Sequence, residues 1–423
     1  MSCSDLELSR VKPSTVIMIP VAHAIQIVKE QTRALNSELV ELTNALGRHL
    51  AEDVVADTDL PPFDRSQMDG YAVRANDVQA AAGTPAKLKI AGESAAGRGW
   101  RNELNAGEAV RIMTGAPVPV GADSVQQVEL TRELDSGSEV EILEPVTLGR
   151  SIVKRGSEIK AGQTVLRAGE RINAGAVAVL ASFGYANVKV GRLPRVAVLA
   201  TGGELVKVDQ KPGSDQIRDS NNFSVSAYAA LAGATIERLP LAGDDIAQLK
   251  RQIADAAERS DIIVTSGGVS VGRYDFTKTV LKELGAETFF ARVALRPGKP
   301  MVFARLPNGT LVFGLPGNPV SVSVTFNLFA RVAILKMQGA VETELEVGTA
   351  VLGKIVKPAK DRESYLPARL STNENAQLVA EPLKWGGSSD FVGFVRATSL
   401  IIVPQASGAL EAGTKVRIVH LPD

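Results

Sequence analysis

Residues 195–205 read RVAVLATGGEL, and this stretch decides the fold of the middle of the chain. An almost continuous apolar run leads into a glycine-bearing loop, and the scheme returns as DIIVTSGG at 261–268 and near 310–319, where GLPGNP ends the run. A further strand is predicted at 236–241. Apolar strands that alternate with helices at this spacing predict βαβ units, and hence a parallel sheet covered on both faces, over residues 195–337.

Two helices of this region are predicted over 246–258 and 277–284. A third is predicted over 319–337, although the apolar residues of 320–326 alternate with Ser and Thr, a period that alone favours a strand. The run continues without a breaker, and Pro319 suits the first turn of a helix. We therefore expect a helix there.

The flanking regions have a different texture. An amphipathic helix is predicted to begin at Pro20, and residues 51–190 consist of short β-branched runs cut by Gly and Pro, which indicates a β-rich region. After Gly339, short alternating segments with polar turns predict a small β-barrel or sandwich.

Composition excludes several classes of function. The 423 residues carry 47 Lys plus Arg against 47 Asp plus Glu, so no long-range basic field favours a nucleic-acid or anionic-membrane partner. A single cysteine, Cys3, argues against disulfide frameworks, thiolate metal clusters and a cysteine nucleophile, and no HExxH is present. Residues 16–28 form a poor signal peptide and are too short to span a bilayer, which favours a cytoplasmic location.

Carboxylates collect in the loops after the predicted strands, where ligands of parallel sheets bind. The loops contribute Glu204, Asp244, Asp245 and Asp275. Magnesium prefers oxygen ligands and commonly bridges one or two carboxylates to substrate phosphates, so this rim is a candidate magnesium site. Helix capping is the alternative for Asp245 and Asp275, since each precedes a predicted helix.

Two further features suit anions. The loop SGGVSVG (266–272) has a glycine pair after a strand, and its amides are candidates for an anion nest, with a plain tight turn as the alternative. Arg292, Arg296 and Lys299 lie in RVALRPGKP, where two prolines stiffen the backbone around three cations. The alternative for these cations is ordinary solvated surface charge.

A series of motifs runs through nearly the whole chain in a fixed order: PPFDRSQMDGYAV (61–73), MTGAPVPVGAD (113–123), KRGSEI (154–159), ATGGEL (200–205), IRDSN (217–221), GDD (243–245), SGGVSVGRYDF (266–276), RPGKP (296–300) and GLPGNPVS (314–321). Together they resemble the molybdopterin molybdenumtransferase family, known as MoeA in bacteria and as the E domain of gephyrin and its plant relatives.

The resemblance implies a multidomain protein: a β-rich N-terminal region of two subdomains at 18–193, a three-layer α/β domain with a mostly parallel sheet at 194–338, and a C-terminal β-barrel at 346–421. It also implies a homodimer in which the N-terminal region of one subunit completes the site of the other.

The resemblance further implies that adenylyl-molybdopterin and molybdate are the substrates, that a divalent metal such as Mg²⁺ assists hydrolysis of the adenylate, and that the preceding adenylyltransferase is a further partner. The residues implied are Asp69, Thr114, Glu204 and Asp275 for catalysis; Asp244 and Asp275 for the metal; and Arg292, Arg296, Pro316, Pro319 and Ser388 for substrate. The SGGVSVG loop adds Ser266, Gly267, Gly268 and Ser270 as substrate-binding candidates. The adenylyltransferase itself and a non-catalytic scaffold are the alternative functions. The adenylyltransferase normally consists of the α/β domain alone, and scaffolding in gephyrin uses an additional domain and linker.

The sequence departs from the family pattern at four places. Gly203 replaces an acidic or amide residue before Glu204, and Ser157 leaves Glu158 as the single acid of KRGSEI. The cationic pair that is usually Lys is Arg here, which changes donor geometry at constant charge. The barrel motif is matched only loosely, which makes Arg362 and Arg369 weaker candidates.

Overall fold

The computed structural model describes residues 18–134, 137–243, 245–269, 276–384 and 386–422. The chain divides into two compact units, each assembled from separate stretches of sequence. The larger unit takes its described residues from Met1–Glu52, Ala168–Asn173 and Asn187–Asp423, and the smaller unit from Asp53–Arg167 and Ala174–Ala186.

The smaller unit is built on a six-stranded sheet with apolar cores on both faces, which confirms the predicted β-rich region. In sheet order the strands are Ser124–Gln127, Gly70–Val73, Glu108–Ile112, Ala86–Ser94, Glu139–Ile142 and Thr131–Leu134. Two short antiparallel ribbons, Arg65–Ser66 with Ile152–Val153 and Val54–Val55 with Thr164–Leu166, and a helix at Ala174–Ser182 complete the main elements.

The α/β part of the larger unit contains a six-stranded sheet in which five strands run in one direction and Pro300–Arg305 runs antiparallel to its two neighbours. In sheet order the strands are Thr235–Arg238, Arg195–Ala200, Ile262–Ser266, Leu311–Leu315, Pro300–Arg305 and Glu287–Arg292. The prediction of a strand at 236–241 was wrong at its C-terminal end, because the strand stops at Arg238. Pro240 has no N–H with which to continue it.

Helices cover both faces of this sheet, as predicted. Alternate residues of Arg195–Ala200 belong to two separate cores. One core is shared with the helices Asn221–Leu231 and Pro319–Met337, and the other with Ile246–Ala257 and Phe276–Glu283. The domain therefore has three layers.

The segment with the ambiguous period forms a continuous helix over Pro319–Met337, with one π-type stretch at Phe326–Ala330. Its polar residues do not require a strand, because the Ser323 hydroxyl donates to the Pro319 carbonyl at 3.1 Å and the Thr325 hydroxyl to the Ser321 carbonyl at 2.7 Å. The helix is long and apolar enough to cross a bilayer, but 89% of its apolar window is buried inside the protein. Its composition is that of a core helix.

The C-terminal strands close into a barrel, which confirms one of the two architectures left open by the sequence. Around the ring the strands are Glu363–Thr372, Leu378–Pro382, Val347–Leu352, Lys415–His420 and Ser399–Val403, and the last pairs with the first. The short strand Leu295–Arg296 joins the α/β part to this barrel by pairing with Glu363 and Ser364.

The N-terminal helix spans Val21–Gln31, and Pro20 occupies its N-cap position. Val21, Ala24 and Val28 are buried in the core that also contains the long helix, as the apolar spacing predicts. The strands Ser37–Glu41 and Asn187–Gly191 form an antiparallel ribbon in the same unit.

Candidate functional site

A cleft of about 470 Å³ lies at the carboxyl ends of three parallel strands, Arg195–Ala200, Ile262–Ser266 and Leu311–Leu315. Parallel strands deliver the loops that follow them to one edge of the sheet. Of the residues singled out in the sequence, Glu204, Gly267, Gly268 and Pro316 line this cleft, next to Gly317 and Asn318. Three loops that follow strands therefore meet here, but of the carboxylates predicted at this rim only Glu204 is among the described residues that line the cleft.

Two consecutive glycines form a turn that lines the cleft. Gly267 and Gly268 have φ of +90° and +64°, and a Cβ on Gly267 would lie 2.3 Å from the carbonyl oxygen of Thr201. The Gly267 amide already donates to the Leu315 carbonyl at 3.1 Å, so this amide is not available to an anion nest. Ser266 is 2% exposed. The turn thus lines the cleft with backbone that no side chain covers. Fewer of its amides can bind an anion than the sequence suggested, because the Gly267 amide bonds to Leu315.

Glu204 carries an exposed carboxylate in the cleft. Its backbone carbonyl accepts from Ile217 at 2.9 Å, where the short parallel strands Leu205–Val206 and Ile217–Arg218 begin. A Cβ on Gly202 would lie 2.4 Å from Glu204 Oε2, so the Glu204 carboxylate lies directly against the preceding turn. The neighbouring Gly203 adds no polar side chain to this position.

The GLPGNP turn connects the cleft to the barrel. The side-chain amide of Asn318 donates to the Ser388 hydroxyl at 2.7 Å, and the Val320 amide donates to the Ser388 carbonyl at 3.0 Å. Asn318 holds the N-cap position of the long helix without capping it, and Pro319 is the first helical residue. The structure therefore brings Ser388, far away in sequence, against the turn that contains Pro316 and Pro319.

Asp390 fixes the barrel loop that carries Ser388. Its carboxylate accepts from the Gly386 and Gly393 amides at 2.7 and 2.9 Å, and these hydrogen bonds lower the pKa of Asp390. The loop is therefore held by an ionised aspartate at neutral pH.

Arg292, Arg296 and Lys299 lie where the α/β sheet adjoins the barrel. Arg292 is half-buried, and its buried Nε has no hydrogen-bond partner. Arg296 lines a second cleft of about 330 Å³ together with Lys357 of the barrel. Among the described residues, none of the three predicted cations forms an ion pair with a carboxylate, and Arg296 is exposed, so both anion binding and solvated surface charge agree with these surroundings.

The weaker candidates of the barrel have different surroundings. The Arg362 Nη1 donates to the Leu295 carbonyl at 3.4 Å and its Nε to Asp361, and this hydrogen bond lowers the pKa of Asp361. Arg369 lies in the strand Glu363–Thr372.

Asp69 and Thr114 are brought together within the smaller unit. The Thr114 backbone amide and hydroxyl donate hydrogen bonds to Asp69 Oδ1 at 2.7 and 2.8 Å. Both hydrogen bonds lower the pKa of Asp69, and the one from the backbone amide has the larger effect. Oδ1 is thus committed to Thr114, and the Asp69 side chain is an ionised, oriented carboxylate.

The motifs PPFDRS and KRGSEI also meet in this unit. Asp64 accepts from the Lys154 side chain at 2.7 Å and from the Arg155 amide at 2.8 Å, and Arg65 pairs with Glu158 at 3.1 Å. The acid that remains in KRGSEI therefore pairs with a residue of the other motif.

Three residues proposed from the sequence, Asp244, Ser270 and Asp275, lie outside the described residues. Within the described ranges no group of three or more His, Cys, Asp or Glu side chains could hold a metal ion. Asp245 is described and caps the helix Ile246–Ala257, because its Oδ1 accepts from the Ala247 and Gln248 amides at 2.9 and 3.1 Å. The capping alternative is thus confirmed for Asp245.

Three family models match successive parts of the chain. They are "MoeA N-terminal region (domain I and II)" over residues 19–184, "Probable molybdopterin binding domain" over 197–336, and "MoeA C-terminal region (domain IV)" over 349–421. The chain belongs to the MoeA family.

Curated and solved relatives agree with this membership. The chain is 36% identical to the molybdopterin molybdenumtransferase of Staphylococcus aureus (strain Mu50) over 402 residues, or 95% of each protein. It is also 36% identical to the enzyme of that name from Bacillus subtilis (strain 168) over 405 residues, 95% of this chain and 94% of the relative. The crystal structure of a molybdopterin biosynthesis MoeA protein from Pyrococcus horikoshii aligns with a TM-score of 0.78 at 27% identity, covering 96% of this chain and 100% of that one. The protein is therefore a transferase with a role in molybdenum cofactor biosynthesis.

Several residues of this MoeA site were missed by the sequence analysis. Thr201, Phe276, Pro300 and Asn318 line the 470 Å³ cleft, and each lies inside a motif quoted above. The signal was present in the motifs, but no local pattern distinguishes the side chains that turn toward the cleft from those that do not.

Proposed function

We propose that this MoeA protein inserts molybdenum into adenylyl-molybdopterin and releases AMP. The main support for this proposal is one cleft of the α/β domain, which is lined by the Gly267–Gly268 turn, Glu204 and the GLPGNP turn. Bare glycine backbone admits a bulky phosphorylated ligand, and an exposed carboxylate beside it suits metal-assisted phosphate chemistry. The curated relatives also match the regions on either side of this domain, which favours the transferase over the adenylyltransferase alternative.

The residues divide into two groups by charge. The turns of the 470 Å³ cleft receive the substrate's phosphates, and Arg292 and Arg296 attract molybdate. Molybdate carries two negative charges on a compact tetrahedron, and guanidinium groups offer it several charge-assisted donors. The unpartnered Nε of Arg292 and the absence of ion pairs for both arginines among the described residues support this division.

A divalent metal, Mg²⁺ or another such ion, is proposed to be held by Asp244 and Asp275 with the substrate's phosphates. The described carboxylates alone do not provide a set of three protein ligands, but magnesium commonly binds through one or two carboxylates when phosphates and waters supply the remaining oxygens. When bound, the metal would neutralise charge on the adenylate phosphates. Asp244 and Asp275 are assigned from their motifs alone.

The protein is further proposed to act as a homodimer, with Asp69 and Thr114 supplied to the catalytic centre of the other subunit. The fixed Oδ1 of Asp69 supports a positioned catalytic carboxylate. Transfer of adenylyl-molybdopterin from the preceding adenylyltransferase would make that enzyme a transient partner.

A molybdate titration of AMP release tests the function and the role of Arg296 together. Loss of one charge-assisted hydrogen bond costs about 1.5–3 kcal/mol, so Arg296→Gln should raise the half-saturating molybdate concentration by roughly tenfold to a hundredfold. Affinity for adenylyl-molybdopterin, measured directly, should change little. Arg305→Gln, which removes an arginine that pairs with Glu287 outside both clefts, is the matched control.

Two results would count against this account. Loss of pterin affinity in Arg296→Gln with an unchanged molybdate response would assign the cation to the substrate's phosphates. AMP release that does not depend on molybdate in the unmodified protein would contradict the proposed reaction.

A further inference from the structure

The last residues of the motif IRDSN and the asparagine after it, Asn222, form a buried segment at the start of the helix Asn221–Leu231. Asp219, Asn221 and Asn222 are 4%, 9% and 5% exposed. The Asp219 carboxylate accepts from the Asn222 amide at 3.0 Å and thereby fixes the start of the helix Asn221–Leu231. Burial raises the pKa of Asp219, and hydrogen bonds from Asn222 and Asn221 offset only part of the cost of enclosing this carboxylate.

Asn221 bonds directly to the backbone of the cleft. Its Nδ2 donates to the Gly317 carbonyl at 2.7 Å. A carbonyl oxygen only accepts, so the amide nitrogen must face Gly317, and an aspartate carboxylate cannot replace it. Because Asn221 is the first residue of the helix Asn221–Leu231, which packs on one face of the sheet, the bond connects the GLPGNP turn to a rigid element.

Gly317 in turn borders the glycine turn on the opposite side of the cleft. A Cβ built on Gly317 would lie 3.7 Å from the Gly267 Cα, and the Gly267 amide donates to the Leu315 carbonyl. A side chain at Gly317 would therefore touch Gly267, so the two turns lie close together, and they share a hydrogen bond. A displacement of the Gly317 carbonyl would change the spacing of both cleft walls.

We propose that Asn221 is a positioning residue for substrate binding, which sets the spacing between the GLPGNP turn and the Gly267–Gly268 turn through the Gly317 carbonyl. The residue does not line the cleft and acts through Gly317. The consequence for substrate affinity rests on the proposed function, whereas the effect on the turn itself does not.

Asn222 provides a matched control within the same segment. It is equally buried, its Nδ2 donates to a backbone carbonyl, that of Leu239 at 3.3 Å, and like Asn221 its buried Oδ1 has no hydrogen-bond partner. Leu239 does not line the cleft. Substitution of either asparagine by alanine removes one buried amide and its hydrogen bond to a backbone carbonyl. The Asn222 side chain also hydrogen-bonds to Asp219, so its loss costs the segment at least as much, but only Asn221 bonds to the cleft wall.

The test compares Asn221→Ala, Asn221→Asp and Asn222→Ala by amide hydrogen exchange of the peptide 311–322 without substrate, and by binding and turnover of adenylyl-molybdopterin. A net hydrogen-bond contribution of about 0.5–1.5 kcal/mol predicts roughly a twofold to tenfold loss of affinity in both Asn221 variants. We expect faster exchange in peptide 311–322 and a raised KM with nearly unchanged kcat in these two variants only. Asn221→Asp preserves the side-chain volume and covers the case in which the alanine variant does not fold.

Equal exchange and equal affinity in the Asn221 and Asn222 variants would overturn the proposal, since Asn221 would then act only on stability. If the unmodified protein does not bind adenylyl-molybdopterin, the proposed function fails, and the exchange comparison still decides whether Asn221 holds the turn.

Discussion

His49 is a buried histidine whose environment couples folding stability to pH. It is 5% exposed, its buried Nδ1 has no hydrogen-bond partner, and burial, followed by the charge of Arg171, lowers its pKa to about 4. The unfolded chain binds a proton below pH 6.5 that the folded chain takes up only near pH 4. Folding stability is therefore lost as the pH falls through this window and is complete above it.

The predicted magnitude follows from the shift. A shift from 6.5 to about 4 corresponds to about 3 kcal/mol at 1.36 kcal/mol per pH unit. Denaturant unfolding of the larger unit gives the free energy of unfolding of the unmodified protein and of His49→Gln at each pH. From pH 7 to pH 4, the unmodified protein should lose about 3 kcal/mol of this free energy relative to the variant. His23→Gln, in which an exposed histidine is removed, controls for the loss of a histidine. A difference that stays constant with pH would contradict the buried neutral state of His49.

Some residues of the cleft could be identified from the sequence, whereas the hydrogen bonds that they form could not. Glu204, Gly267, Gly268 and Pro316 were identified from their positions after strands or within motifs, and they do line the cleft. The Gly267 amide was proposed as an anion donor, yet it bonds to Leu315, a contact between neighbouring strand ends that no local pattern specifies.

Secondary-structure elements were predictable where the apolar period and a terminating residue agree. The strand Arg195–Ala200 and the helix Ile246–Ala257 follow their sequence patterns within one or two residues. The helix Pro319–Met337 needed the additional argument from Pro319, because its hydroxyl residues bond to carbonyls of their own helix and so imitate an alternating strand. Closure of the barrel depends on the pairing of Glu363–Thr372 with Ser399–Val403, which local pattern alone left open between barrel and sandwich.

At the scale of the whole molecule, the approach of Ser388 to Asn318 joins the barrel to the α/β domain across a long stretch of chain. Only the family resemblance pointed to Ser388, since nothing in the local sequence around it indicates a partner. The division of the chain at 18–193, 194–338 and 346–421 stays a prediction, as does the homodimer.

Subunit mixing tests the proposed sharing of the site between two copies of the chain. Asp69→Ala and Glu204→Ala should each abolish molybdate-dependent AMP release when present in both subunits. After subunit exchange, half of the dimers are mixed and each has one intact site, so about a quarter of the unmodified activity should return. Confirmed exchange without recovered activity would place both residues in the same subunit's site, or outside any site.

The proposed reaction couples the release of AMP to the transfer of molybdenum onto molybdopterin within one protein. The most direct measurement is a single turnover with enzyme in excess over adenylyl-molybdopterin, in which AMP and pterin-bound molybdenum are quantified from the same sample with and without molybdate. Coupled chemistry should yield equal amounts of AMP and molybdenum-loaded pterin when molybdate is present, and little of either when it is absent. Release of AMP without molybdenum in the pterin product would contradict it.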